Sequence, residues 1–99
     1  MKIHHNKTKI IATWGPSCED KKVMTEMIKS GLDLFRFNFS HGTHEKHLEG
    51  FKKVRQITTE LEASIGILAD LQGPKIRVGK VLDNNQPLKA GHTITITTE

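Results

Sequence analysis

The most informative pattern in this chain is the alternation of apolar and polar side chains over residues 34–40. Successive side chains of an extended strand point to opposite faces, so Phe35, Phe37 and Phe39 share one face. The opposite face carries a guanidinium, an amide and a hydroxyl, from Arg36, Asn38 and Ser40. The pattern therefore predicts a strand that buries one face and delivers ligand-binding groups to its own C-terminal end.

Two further apolar runs, residues 9–14 and 65–69, are predicted to be strands because Gly, Pro or Asp bounds them. The first run contains β-branched residues and stops at a Gly-Pro pair, which is typical of a strand buried on both faces in a parallel sheet. The predicted strands end near positions 14, 40 and 70. A period of roughly 30 residues is that of a βαβ unit.

Helical periodicity separates the predicted strands. Apolar side chains recur at helical spacing from about residue 20 to residue 30, and Gly31 stands where a helix C-cap belongs. Thr43 is placed to cap a second helix, in which Gly50 costs about 1 kcal/mol relative to Ala. The apolar faces are predicted to be Val23, Met24, Met27 and Ile28 in the first helix, and Leu48, Phe51, Val54, Ile57 and Leu61 in the second.

Alternating strands and helices predict an α/β fold with parallel strands joined by right-handed crossovers. All strand C-termini then open on one side of the sheet, which is the side where β/α folds bind ligands. Oxygens of Asn38, Ser40 and Asp70 would suit a hard cation there, and Arg36 would suit a carboxylate or phosphate. A structural alternative stays open, in which Arg36 closes a salt bridge and the others cap strand or turn ends.

The pattern changes after Pro74. Residues 75–79 and 93–97 alternate apolar and polar side chains, and residues 83–87 have the composition of a turn, which is typical of antiparallel sheets. We therefore assign residues 1–74 to a β/α domain and residues 75–99 to the start of an inserted all-β domain.

Composition narrows the class of protein. A chain of 99 residues provides one core at most, and no low-complexity tract indicates disorder. No apolar run approaches the roughly 18 residues of a membrane span, and the first residues lack a signal core, so we expect a cytoplasmic protein without a membrane partner. Cys18 is the only cysteine, which excludes an internal disulfide.

The net charge of +4 raises the question of nucleic-acid binding. The basic residues are interleaved with acidic ones, so a small anionic metabolite is a better candidate partner than nucleic acid. The sequence contains no G-x-x-x-x-G-K-S/T loop, no G-x-G-x-x-G loop and no H-E-x-x-H helix. His44 and His47 lie one helical turn apart, but two ligands without a third are weak evidence for a metal site.

Residues 8–17, 36–42 and 70–77 together resemble the amino-terminal part of pyruvate kinase, with matching order and spacing over nearly the whole chain. The resemblance implies phosphoryl transfer from phosphoenolpyruvate to ADP, giving pyruvate and ATP. It also implies an eight-stranded β/α barrel, of which this chain would supply the first three β/α units, interrupted after the third strand by a small β domain. Mg²⁺, K⁺ and a homotetrameric full-length protein are expected on the same basis.

The resemblance implies a role for each matching residue. Arg36 would contact the transferred phosphate, in a reaction where catalysis consists mostly of positioning and electrostatics. The nucleotide would lie against Asn38, Phe39, Ser40, His41 and Arg77. Potassium would bind the side chains of Asn38, Ser40 and Asp70 and the backbone carbonyl of Leu71.

The family's Mg²⁺ ligands, its catalytic lysine and its remaining barrel strands correspond to positions beyond residue 99. We therefore expect the 99-residue chain to be inactive alone. The alternative is a stand-alone module that binds phosphate or another anion through Arg36 and helix N-termini, without catalysis.

Overall fold

The computed structural model describes residues 6–98, within which three strands alternate with two helices. The elements are β1 (Ile11–Thr13), α1 (Lys21–Lys29), β2 (Leu34–Asn38), α2 (His44–Glu60) and β3 (Gly66–Asp70). Two single 3-10 turns, Pro16–Cys18 and Leu82–Asn84, lie outside these elements. This order confirms the predicted α/β class. None of the helices within residues 6–98 is both long enough and apolar enough to cross a lipid bilayer.

The three strands form one parallel sheet in the order β1, β2, β3. In the register of the sheet, Thr13 of β1 lies opposite Arg36 of β2, and Asn38 of β2 lies opposite Asp70 of β3. The strands therefore end at the same edge of the sheet, as the alternation of strands and helices predicts.

Both helices begin where the sequence predicts, and α1 also ends at its predicted position. The carboxylate of Asp20 accepts hydrogen bonds from the backbone N–H groups of the first turn of α1, and Thr43 Oγ1 accepts one from Lys46 at 3.3 Å. Gly31 follows α1 with a φ of +107°, a conformation that L side chains rarely adopt. These caps satisfy backbone groups that a helix leaves without intrahelical partners.

The core lies between the two helices and one face of the sheet. Its largest fully buried side chains are those of Phe35, Met24, Ile57 and Val54. Gly50 allows α2 to approach closely, because a Cβ at this position would lie 2.6 Å from the ring of Trp14 and 2.8 Å from that of Phe37. The glycine that lowers the intrinsic stability of α2 is thus required by the packing.

The predicted apolar faces of the helices are partly wrong. Leu48 and Phe51 are 53% and 40% exposed, whereas α2 buries His47, Gly50, Val54, Ile57 and Thr58. The close approach at Gly50 turns this side of α2 toward the core. Val23 of α1 is also 40% exposed.

The prediction that the first strand is buried on both faces is also wrong. Ile11 is 53% exposed, because within the described residues both helices cover the opposite face of the sheet. Leu68 of β3, on the same open face as Ile11, is 38% exposed.

The structure describes no strand between residues 71 and 98, so the strands predicted at 75–79 and 93–97 are wrong for this chain. Their apolar side chains are exposed, including Ile76, Val78 and Ile96 at 103%, 85% and 89%. Alternation produces a strand only where a neighbouring strand pairs with its backbone groups, and the described residues supply none here. The inserted β domain and the boundary at residue 75 stay predictions.

Candidate functional site

A cavity of about 190 Å³ lies at the edge of the sheet where the strands end. It is lined by Arg36, Asn38, Ser40, His41, Asp70, Leu71, Gln72, Lys75 and Arg77. The parallel topology thus brings together residues from the end of β2, the end of β3 and the segment after β3. Every site residue predicted from the sequence lines this cavity except Phe39.

Arg36 is held in place from two neighbouring strands. Its Nε donates a hydrogen bond to Asp70 Oδ2 at 2.9 Å, and its Nη2 donates to the same oxygen. Its Nη1 donates to Thr13 Oγ1, also at 2.9 Å. These bonds use three of the five guanidinium donors, and the side chain is 33% exposed, so the other donors can reach a ligand. The guanidinium is therefore positioned before any ligand arrives.

The turn that follows β2 forms another wall of the cavity. Asn38 Oδ1 accepts a hydrogen bond from the Ser40 backbone N–H at 3.1 Å, and the Asn38 carbonyl accepts one from His41 at 3.2 Å. The Phe39 N–H donates to the Asp70 carbonyl at 2.9 Å, which ties the turn to the end of β3. These hydrogen bonds fix the backbone of the turn and so hold Ser40 and His41 at the cavity.

Phe39 is the predicted site residue that the structure places elsewhere. Its ring packs on the helix-facing side of the sheet, with its centroid 4.6 Å from the centroid of the His47 ring. Its backbone N–H is already bonded to Asp70. Phe39 therefore has neither its ring nor its N–H available to a ligand in the cavity.

Sequence reasoning missed three residues at the site. Thr13 orients Arg36, and its signal is its position at the end of the neighbouring predicted strand. Lys75 lines the cavity together with Arg77, which lies two positions later in the chain. The two-residue spacing of these cationic side chains was therefore a usable signal that Lys75 shares the site. Gln72 also lines the cavity, and its signal is its position directly after the third predicted strand, at the edge where the strands end.

The charge of the lining favours an anion. Three cationic side chains, Arg36, Lys75 and Arg77, face the cavity with the single carboxylate of Asp70. Guanidinium and ammonium groups form charge-assisted hydrogen bonds with phosphate and carboxylate oxygens. A phosphate group is therefore a ligand that this lining can hold.

The oxygens predicted to bind a cation border the same cavity, since Asn38, Ser40, Asp70 and Leu71 all line it. Carboxylate, amide, hydroxyl and carbonyl oxygens are the donors that hard cations prefer. Two of them are already engaged, because Asp70 Oδ2 accepts hydrogen bonds from Arg36 and Asn38 Oδ1 accepts one from the Ser40 N–H. Within residues 6–98 there is no cluster of three or more His, Cys, Asp and Glu side chains that could hold a metal ion. The pair His44 and His47 accordingly lacks a third ligand among these residues.

Comparison with known proteins gives a consistent result. Residues 5–99 match the family model described as the barrel domain of pyruvate kinase. The chain is 48% identical over 93 residues to pyruvate kinase 2 of Synechocystis sp., which covers 92% of this chain and 16% of that protein. It is 43% identical over 98 residues to the pyruvate kinase of Thermococcus litoralis, covering 99% of this chain and 21% of that protein.

A solved structure supports the same relationship. The fold is similar to a crystal structure of a pyruvate kinase from Cryptosporidium parvum, with a TM-score of 0.61 and 36% sequence identity. The match covers 64% of this chain and 13% of that one. The chain thus spans about a fifth of the length of the curated relatives that it matches.

Proposed function

The chain belongs to the pyruvate kinase family, and we propose that its cavity binds the phosphate groups that pass from phosphoenolpyruvate to ADP, giving pyruvate and ATP. The observation that carries this proposal is the pairing of Arg36 with Asp70, which are 34 residues apart in sequence and meet at the cavity. Because the chain spans only part of its relatives, the activity of the whole enzyme is itself part of the proposal.

Arg36 acts on the transferred phosphate. Asp70 and Thr13 fix the orientation of its guanidinium, and the remaining N–H donors point their positive charge at the phosphate oxygens as charge develops there. Donors that are already positioned stabilise a charged transition state without reorganising during the reaction. Phosphoryl transfer depends mainly on such positioning and electrostatic stabilisation.

The phosphates of ADP lie against the turn after β2. Ser40 offers its hydroxyl, His41 its ring, and Arg77 a second guanidinium across the cavity. Lys75 and Gln72 border the same space and add a charge and an amide. The nucleotide contact therefore uses the polar residues of the turn and does not require the ring of Phe39.

The described residues offer possible ligands for potassium but no carboxylate cluster for magnesium. Asn38, Ser40, Asp70 and the Leu71 carbonyl would hold K⁺, which would supply positive charge near the phosphates of both substrates. Mg²⁺ would shield the phosphate oxygens, but the described residues provide no carboxylate cluster for it. No step of the reaction is therefore assigned to a Mg²⁺ ligand of this chain.

A second function, anion binding without catalysis, is favoured by the three-to-one excess of cationic over anionic side chains around the cavity. In this case the 99-residue chain binds phosphoenolpyruvate or ADP and releases no pyruvate. We also expect the isolated chain to release no pyruvate if it is an inactive part of a larger enzyme, so the two functions agree on this result. Location in the cytoplasm, which we expect from the sequence, and assembly of the full-length protein as a homotetramer, which the family implies, stay proposals.

Titration calorimetry with phosphoenolpyruvate and with ADP tests the proposed binding. The variant Arg36→Gln should weaken phosphoenolpyruvate binding by roughly tenfold to a hundredfold, which is the usual effect of losing a hydrogen bond to a charged group. Lys52→Gln removes the same charge from the exposed surface of α2 and should change binding by about twofold or less. Equal losses in both variants would show that net charge, and not the cavity, causes binding.

A turnover assay tests the expected inactivity of the isolated chain. The purified chain should release no pyruvate from phosphoenolpyruvate and ADP above a buffer control, with or without K⁺. Release of pyruvate would overturn both the expected inactivity and the binding-only alternative.

A further inference from the structure

His47 is a buried histidine that the proposed reaction does not use. It is 7% exposed, whereas His41, His44 and His92 are exposed. Its ring lies among aromatic rings, with centroids 6.2 Å from Trp14 and 6.0 Å from Phe37. A histidine in such an environment carries polar nitrogens into the core, and its presence needs a specific reason.

The two ring nitrogens of His47 have different surroundings. Nε2 lies 2.7 Å from the backbone carbonyl oxygen of His41. A carbonyl oxygen only accepts hydrogen bonds, so Nε2 must carry the hydrogen. Nδ1 is buried and has no hydrogen-bond partner among the described residues. An apolar residue would avoid this unsatisfied nitrogen, so packing alone does not explain the histidine, whereas the bond from Nε2 does.

This bond ends at the turn that forms a wall of the cavity. Gly42 has a φ of +75°, and a Cβ there would lie 3.4 Å from His47 Nε2, so the backbone of the turn rests on the ring. The same turn is tied to β2 by the bonds of Asn38 with Ser40 and His41. His47 therefore connects the buried side of α2 to the residues that face the ligand.

We propose that His47 is a positioning residue, which holds the turn of residues 40–42 in the conformation that binds the phosphates of ADP. This inference rests on the proposed function for the identity of the ligand. His47 does not touch the ligand, and it acts through the carbonyl of His41. Loss of the Nε2–H donor frees the turn on one side, while the bonds of Asn38 hold it on the other.

The tautomer of His47 tests the hydrogen bond in the unaltered protein. Long-range ¹H–¹⁵N spectra of the ¹⁵N-labelled chain at neutral pH should show a hydrogen on Nε2 and none on Nδ1. A hydrogen on Nδ1 alone would overturn the proposal, because the carbonyl of His41 would then have no donor. This measurement does not depend on ADP binding.

Two substitutions test the positioning. His47→Leu removes the donor, and His47→Gln retains an N–H donor at a comparable distance from the backbone. His47→Leu should weaken ADP binding by roughly tenfold and speed amide exchange in residues 40–42, and His47→Gln should restore most of both. ADP binding by His47→Leu equal to that of the wild type, or no recovery in His47→Gln, would overturn the proposal.

A core variant separates positioning from loss of stability. Ile57→Val removes a methylene from the buried face of α2 and should leave ADP affinity and exchange in residues 40–42 unchanged. If His47→Leu does not fold, the tautomer and the His47→Gln variant decide the question. If the wild type does not bind ADP, the proposed function fails, while the tautomer and the exchange rates still test the role of His47.

Discussion

The substitution Gly50→Ala sets helix propensity against packing. Propensity alone predicts that alanine stabilises α2 by about 1 kcal/mol. In the folded protein the new methyl group would lie 2.6 and 2.7 Å from ring atoms of Trp14 and 2.8 Å from one of Phe37. Overpacking a core costs about 1–3 kcal/mol, and two buried rings that stack with centroids 5.2 Å apart leave little room to move, so we use the upper value. The net expectation is a loss of about 2 kcal/mol in the free energy of unfolding.

Urea unfolding followed by far-UV circular dichroism measures this loss. The matched control is position 52, which is exposed on the same helix, where Lys52→Ala should be more stable than Lys52→Gly by about 1 kcal/mol. Alanine should therefore be favoured over glycine at position 52 and disfavoured at position 50. A Gly50→Ala variant as stable as the wild type, or more stable, would refute the packing argument.

Three further predictions concern a cap, a carboxylate and the cavity. Asp20→Ala removes the acceptor for two N–H groups of α1 and should lower the free energy of unfolding by about 1 kcal/mol in urea titrations, and an unchanged midpoint would contradict this. The hydrogen bond from the Ile10 backbone N–H holds the pKa of the Asp33 carboxyl below its ordinary value of 3.8. The ionised carboxylate therefore stabilises the fold above pH 3.8, and this stabilisation is lost as the pH falls through the lowered pKa. The stability gap between wild type and Asp33→Asn should accordingly be wider at pH 7 than at pH 3, and an equal gap would show that ionisation of Asp33 is not involved. Lys75→Glu reverses one charge at the cavity and should weaken ADP binding roughly tenfold at low salt without changing the urea midpoint, whereas unchanged affinity would place Lys75 outside the ligand's reach.

The parts of the fold that could be predicted depend on local patterns. Alternation in residues 34–38 is confirmed by the burial of Phe35 and Phe37, and the caps at Thr43 and Gly31 follow from residue types with strong conformational preferences. The buried face of α2 could not be predicted in full. Apolarity marks Leu48 and Phe51, but the face is set by Gly50, whose contribution is the absence of a side chain.

The strands at 75–79 and 93–97 show a second limit. An alternating segment can form a strand only with a neighbour, and alternation carries no information about whether that neighbour is present. The pairing in residues 11–70 is different, because each strand finds its partner within the described residues.

The grouping of the cavity residues was predictable from topology. Parallel strands end at one edge, so Arg36, Asn38 and Asp70 had to lie near one another once the strands were correctly placed. Alternation directs the ring of Phe39 to the core, where the structure places it, and Phe39 entered the expected nucleotide contact only as a member of the segment 38–41. The hydrogen bond that Arg36 donates to Thr13 Oγ1 depends on side-chain geometry, which periodicity does not provide.

The central claim is that the ends of the strands form one binding site for phosphate groups. Titration of the ¹⁵N-labelled chain with phosphoenolpyruvate, followed in ¹H–¹⁵N spectra, tests this claim directly. We predict saturable shifts concentrated in Arg36, in residues 38–41 and in residues 70–77, with little change in α2 beyond its first turn. An absence of saturable shifts, or shifts spread over the exposed lysines of both helices, would contradict the account.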